Sequence, residues 1–161
     1  MIHATLCYIR NNGRTLFLHR TSGTEDIHND KYVAPGGKMN SGETGITCVV
    51  RECEEETGLT IVNPKIKILA TFYNKGRLLG GKESPEDWFV EFYEATEFTG
   101  NLKAERSSLT PSWVEDSKMA YLPMHEGDMK LGELMKQEGI YEVLIQYDKE
   151  KLIKFETKKI S

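Results

Sequence analysis

One segment, residues 36–59, constrains this chain more than any other. Between residues 44 and 57, Ile46, Val49, Val50 and Cys53 recur at i, i+3, i+4 and i+7, the spacing of a single apolar stripe on a helix. Gly58 follows directly, a residue able to take the left-handed conformation that ends helices. Beside the stripe, Glu52, Glu55 and Glu56 stand at i, i+3 and i+4 and share one side of the same helix. Like charges so placed cost an isolated helix about 0.2–0.5 kcal/mol per pair. Two arrangements relieve that cost: a solvated acidic face, or a divalent cation that turns repulsion into coordination. Oxygen-only ligands suit Mg²⁺ or Mn²⁺ rather than zinc. The preceding loop favours the cation, because Gly36, Gly37 and Gly42 let backbone approach a ligand closely and Arg51 offers a guanidinium to orient a carboxylate.

Around this segment the pattern alternates between strands and helices. Apolar runs at residues 2–9 and 15–20 flank Asn11-Asn12-Gly13, a hairpin signal. Residues 21–31 are polar and predict a surface loop holding an exposed His28, and the run Val33-Ala34-Pro35-Gly36-Gly37 predicts a sharp bend. Residues 66–73 and 88–98 read as strands separated by a loop with Gly76, Gly80 and Gly81, and Trp88 and Trp113 are expected in the core. A short strand is expected at residues 112–115, a helix at 128–137 through Met129, Leu131, Leu134 and Met135, and a last hairpin from 141–147 and 152–155. No repeat, low-complexity tract or linker interrupts the sequence, so a single α+β domain over residues 1–161 is expected.

Composition narrows the classes of function. With 39% apolar residues the chain can bury a real core, and a net charge of -4 argues against life on a nucleic-acid polymer, whose affinity comes from clustered Lys and Arg. No window approaches the roughly 18 apolar residues of a membrane helix, and the first residues alternate like a strand instead of forming a secretory signal. Cys7, Cys48 and Cys53 lack metal-site spacing and predict free thiols in a reducing cytoplasm, with Cys53 packing as a small hydrophobe.

The string from Gly37 to Leu59 resembles the Nudix box. It matches at all seven fixed identities, Gly37, Glu43, Arg51, Glu52, Glu55, Glu56 and Gly58, and departs only at Cys53, where the box prefers an aliphatic residue. With each residue type at several per cent of average usage, chance agreement is on the order of 10⁻⁸ per starting position. The resemblance implies the Nudix fold, a mixed β-sheet sandwiched between α-helices, and hydrolysis of a nucleoside diphosphate linked to another moiety. Residues 16–20, Trp113-Val114-Glu115 and His125-Glu126-Gly127-Asp128 look most like the MutT type. That type is a nucleoside triphosphate pyrophosphohydrolase releasing monophosphate and pyrophosphate, and its bacterial relatives act as 8-oxo-dGTP diphosphatases.

By the same resemblance, Glu55 and Glu56 are metal ligands, Glu52 is a ligand or the general base, and the Gly36 carbonyl completes the shell. Arg51 positions a box glutamate, so that Glu52, Glu55 and Arg51 form the catalytic group. Glu105 is an additional metal-binding carboxylate, and Glu43 braces the start of the helix. Arg20 and Lys38 flank the glycine loop in the chain and are candidates for phosphate contacts. Glu126 and Asp128 fall near positions from which relatives reach the purine, and also where a helix start takes capping residues. His125 stands where close relatives carry a stacking tryptophan, and Val33 where some carry a purine-reading asparagine, which leaves the base open. The other readings are a dinucleoside polyphosphate, an ADP-sugar or an RNA cap as substrate, with contacts from residues 76–87, and a nucleotide-sensing module without turnover. Sensing modules usually lose box glutamates, and here all are present. A nucleotide is the expected partner, and a homodimer is an open form of assembly.

Overall fold

The computed structural model describes residues 1–21, 29–75, 77–79, 82–84, 86–103 and 109–161, of which 75, 77–79 and 82–84 are described by backbone alone. His28 and Glu105 lie outside the described residues. The chain opens with β1 (Ile2–Asn11) and β2 (Arg14–Arg20), joined through Asn12 and Gly13 at φ 52° and 73°. Two positive φ values in succession give the turn whose twist matches a hairpin. Then come β3 (Lys31–Val33), β4 (Gly36–Lys38), α1 (Gly45–Thr57), β5 (Leu59–Val62), β6 (Lys65–Lys75), β7 (Arg77–Leu79) and β8 (Lys82–Ser84). The chain continues through β9 (Trp88–Ala95), β10 (Glu97–Gly100), β11 (Leu109–Glu115), a 3₁₀ turn (Asp116–Tyr121), α2 (Glu126–Met135), β12 (Tyr141–Asp148) and β13 (Lys151–Lys159).

The main sheet runs β11-β2-β1-β9-β6-β12-β13, with β3 added to β2 and β4 added to β1. It is mixed: β1 with β9 and β6 with β12 are parallel, while the other neighbours are antiparallel. Alternation along β1 sends Ala4 and Tyr8 into one core and Cys7 and Ile9 into another. The first core also holds Leu131 and Met135 of α2, and the second holds Val49 and Cys53 of α1. One helix therefore covers each face, the expected α+β sandwich. All three cysteines are free and buried, and contact with Cys7 together with burial pushes the Cys53 thiol up, keeping it protonated. No helix among the described residues is long and apolar enough to cross a membrane.

Several expectations are corrected. Ile46 is 53% exposed, and the buried side of α1 consists of Cys48, Val49, Cys53 and Thr57. Gly45 explains the rotation: it lies where a Cβ would strike the Glu91 carboxylate and the Tyr93 hydroxyl, so this face and not that of Ile46 meets the sheet. The strand expected over residues 88–98 breaks after Ala95, because β10 leaves the main sheet to pair with β5. Within the loop expected between the two long strands, β7 and β8 pair antiparallel. The strand expected at residues 112–115 begins at Leu109, since the whole of β11 registers against β2. The second helix begins at Glu126, where the Gly127 N–H donates to the Tyr147 hydroxyl at 2.8 Å and the missing side chain lets the helix start rest on β12.

Candidate active site

Thr44 starts α1 by accepting the Thr47 N–H at 3.2 Å, and Gly58 ends it at φ 83°. Between those limits the rotation set by Gly45 places Glu52 and Glu56 on the side facing β4, next to the buried stripe. β4 pairs with β1 through Gly36 opposite Leu6 and Gly37 opposite Thr5. Backbone and carboxylate come very close there. A Cβ on Gly37 would lie 2.5 Å from the Glu52 carboxyl carbon, and the Gly36 N–H donates to Glu56 Oε1 at 2.8 Å. Cys48 ties the same loop to the helix: its sulfur accepts the Thr5 hydroxyl at 3.2 Å and lies 3.6 Å from the Gly37 and Lys38 carbonyls. Burial pushes its thiol up, so it sits there as a neutral spacer.

Arg51 organises the acidic groups. Its Nε and Nη2 donate to the two oxygens of Glu43 at 2.7 and 2.8 Å, a bidentate grip, and Nη1 donates to Glu52 Oε1 at 2.8 Å. Nη1 also reaches Glu55 Oε2 at 3.3 Å, and Nη2 the Lys38 carbonyl at 3.2 Å. The Arg51 guanidinium, helped by the Asn40 N–H at 2.7 Å, pushes the Glu43 carboxyl down to about 2. Glu43 and then Glu52 push the Arg51 pKa up in return, so the guanidinium stays charged. Glu43 is thereby a fixed brace, and one cation stands among several carboxylates.

The donor set fits a hard divalent cation: Glu52, Glu55 and Glu56 offer oxygen only, and the side-chain-free Gly36-Gly37 backbone lies directly against Glu52 and Glu56. Among the described residues no three acidic, histidine or cysteine side chains converge on one point at ligand spacing. Arg51 stands among Glu43, Glu52 and Glu55 instead, and Glu55, at 58% exposed, is the most solvent-accessible of these three partners.

A cavity of about 270 Å³ adjoins this cluster, and Gly36 and Glu56 belong to its wall. Strands β1, β3, β6 and β9 supply Leu6, Val33, Phe72 and Trp88, and α2 supplies Asp128. Arg20 and His125 also line it. Tyr8 and Tyr147 form part of the wall, and burial followed by the nearby Asp128 pushes the Tyr8 hydroxyl up. Lys38 is exposed, with its ammonium 5.5 Å from the centre of the Trp88 ring. Glu126 is exposed and outside the cavity wall. Trp88, expected in the core, is half-buried and packs against the first core, and from the start of β9 it also walls the cavity. Trp113 packs beside Phe98 as expected of a core residue. Phe72, Asn74 and Tyr147 were missed as site residues. The available signal was parity: Ile68, Ala70, Phe72 and Asn74 alternate along one strand, and Asn74 is the polar member of an inward-facing series.

Comparison with known proteins gives a concordant set. Residues 2–138 match the family model described as the NUDIX domain. An uncharacterized Nudix hydrolase of Bacillus subtilis strain 168, YvcI, is 31% identical over 147 residues, covering 91% of this chain and 87% of that protein. The 8-oxo-dGTP diphosphatase of Escherichia coli K12 is 42% identical over 52 residues, 32% of this chain and 40% of that protein. Among solved structures, the mutator MutT protein of Bacillus halodurans superposes with a TM-score of 0.81 at 24% identity, covering 98% of this chain and 97% of that one.

Proposed function

The chain belongs to the Nudix hydrolase family, and from that premise we propose that it is a magnesium-dependent nucleoside triphosphate pyrophosphohydrolase of the MutT kind. Members of the family act on phosphoanhydride bonds of nucleotide derivatives and generally use divalent metal ions. One observation carries the reading: the carboxylate cluster and an aromatic-walled cavity share Gly36 and Glu56, so a nucleotide with its base in the cavity would bring its phosphates to the glutamates.

Glu52, Glu55 and Glu56, with the Gly36 carbonyl, would hold Mg²⁺, or Mn²⁺ in its place. Bound there, the cation would neutralise phosphate charge and orient the polyphosphate for displacement. Glu52 is the proposed base. Its carboxylate is held at one oxygen by Arg51 and pressed against Gly37, which suits it to take a proton from water at a fixed position. Arg20 on the cavity wall and Lys38 at its edge would pair with phosphate oxygens. Trp88 and Phe72 would flank the base, and Asp128 would accept a hydrogen bond from its edge. Glu105 is retained as a proposed additional ligand, and Glu126 as a contact at the outer edge of the substrate. The local similarity to the E. coli enzyme supports 8-oxo-dGTP as the first substrate to try, and a cytoplasmic setting fits three buried free thiols.

The test is a panel of 8-oxo-dGTP, the ordinary nucleoside triphosphates, ADP-ribose and a dinucleoside tetraphosphate, each incubated with the protein and Mg²⁺. Monophosphate with pyrophosphate from a triphosphate supports the proposal. Orthophosphate as the product, or turnover of ADP-ribose or the dinucleotide alone, overturns it.

A further inference from the structure

Asn74 stands near the end of β6 on the same side as Ile68, Ala70 and Phe72, and it lines the cavity. Its backbone N–H donates to Asp87 Oδ1 at 3.2 Å, and its side-chain Nδ2 donates to the Glu86 carbonyl at 3.4 Å. The second bond fixes which end of the amide is which. Turned over, the group would set Oδ1 against a carbonyl, acceptor to acceptor. In the orientation that remains, Oδ1 is buried and has no hydrogen-bond partner among the described residues. Such atoms are rare in folded proteins, because a buried acceptor loses its hydration and regains nothing.

The neighbouring walls are aromatic and aliphatic, Phe72, Trp88 and Val90 among them. A group that satisfies Asn74 there must therefore be flat, largely apolar and equipped with an N–H donor at its edge. At about 270 Å³ the cavity sits just under the common range of ligand sites, sized for one heterocycle. We propose that Asn74 is a specificity-determining residue of this cavity, its Oδ1 accepting a hydrogen bond from the exocyclic amino group of a nucleobase. This assignment rests on reading the cavity as the place of the base. It selects amino-bearing bases, the purines guanine and adenine as well as cytosine, over analogues that lack the amino group, because an analogue leaves Oδ1 buried and unpaired.

The experiment compares kcat/KM for two matched pairs in the presence of Mg²⁺: guanosine against inosine 5'-triphosphate, and adenosine against purine riboside 5'-triphosphate. Within each pair one amino group differs. In the unaltered protein, deleting that group from the preferred base is expected to cost roughly ten- to a hundredfold. In Asn74→Leu the same ratio is expected to shrink to within about twofold. No discrimination in either pair, or discrimination that survives in Asn74→Leu, overturns the proposal.

A second readout needs neither turnover nor a variant. The side-chain amide resonance of Asn74 in a ¹⁵N-labelled sample is expected to shift with guanosine or adenosine and not with the matching des-amino nucleoside. An equal response within both pairs, or none at all, refutes the assignment. The two readings fail separately. Pyrophosphate release without amino discrimination removes Asn74 and leaves the pyrophosphohydrolase, whereas an amino-dependent amide shift without any triphosphate turnover does the reverse.

Discussion

The acidic segment and the cavity beside it are built in opposite ways. Each of the Arg51 contacts, to Glu43, Glu52, Glu55 and the Lys38 carbonyl, spans at most 13 positions of sequence. The cavity gathers Leu6, Val33, Phe72, Trp88, Asp128 and Tyr147, residues far apart in sequence that meet through the pairing of β1 with β9, β9 with β6 and β6 with β12 and through α2 and β3 packed beside them. The first region is organised by charge and by backbone approach at glycine, the second by apolar walls with few polar atoms. The lesson is a division of labour. Changes in the acidic segment should act on the chemical step, and changes in the cavity should act on which ligand is held and how tightly.

The sharpest way to break that division is to neutralise the glutamates. Glu55→Gln and Glu56→Gln are each expected to lower kcat by about 10²–10⁴-fold while the thermal midpoint stays near that of the parent. Full activity in both variants would remove the acidic segment from the chemistry. Next in size is Gly37→Ala. Its new methyl would press on the Glu52 carboxylate, and a displacement on that scale is expected to cost on the order of 10² in kcat. Gly42→Ala is the control, with nothing within 4 Å of the added carbon and φ at +84°. It should cost about 1–2 kcal/mol of stability and leave kcat alone. Similar kcat losses in the two alanine variants would show that the effect is not specific to Glu52.

On the cavity side, Trp88→Leu is expected to raise KM by roughly 5- to 100-fold with kcat nearly unchanged, the worth of one base–aromatic stack. A drop in kcat at constant KM would merge the two regions into one. The smallest effect is one of acid stability. Glu43 has its pKa lowered from 4.5 to about 2 by Arg51, so its contribution to folding is complete above the unfolded value of 4.5. That contribution fades as pH falls from about 4.5 through about 2. Between pH 6 and 2, thermal melts of the parent should therefore lose more stability than those of Glu43→Gln. Parallel curves would mean that the Arg51 grip does not persist in solution.

Much of the acidic segment was legible before any fold was known. Thr44 and Gly58 mark the two ends of α1, and Glu52, Glu55 and Glu56 share a side because helical spacing is a local rule. Asn12 and Gly13 announced the first hairpin for the same reason. The departures arose where a partner far along the chain decides. Ile46 satisfied the helical period yet points to solvent, since Gly45 is the residue that fits against Glu91 and Tyr93. β10 turned away from β9 because β5 offered it a partner.

What the sequence determined by itself was the chemistry: a run of glycines, one arginine and a set of glutamates whose relative placement follows from a single helix and the loop before it. Only the tertiary structure decided the shape that chemistry serves. It set Trp88, packed against the core, on the wall of a cavity as well and left one oxygen of Asn74 buried without a partner among the described residues. It also set Glu126 outside the cavity while drawing Asp128 in. The physical reason is that helical neighbours interact through a fixed local geometry, whereas a cavity exists only where strands distant in sequence settle their register against one another.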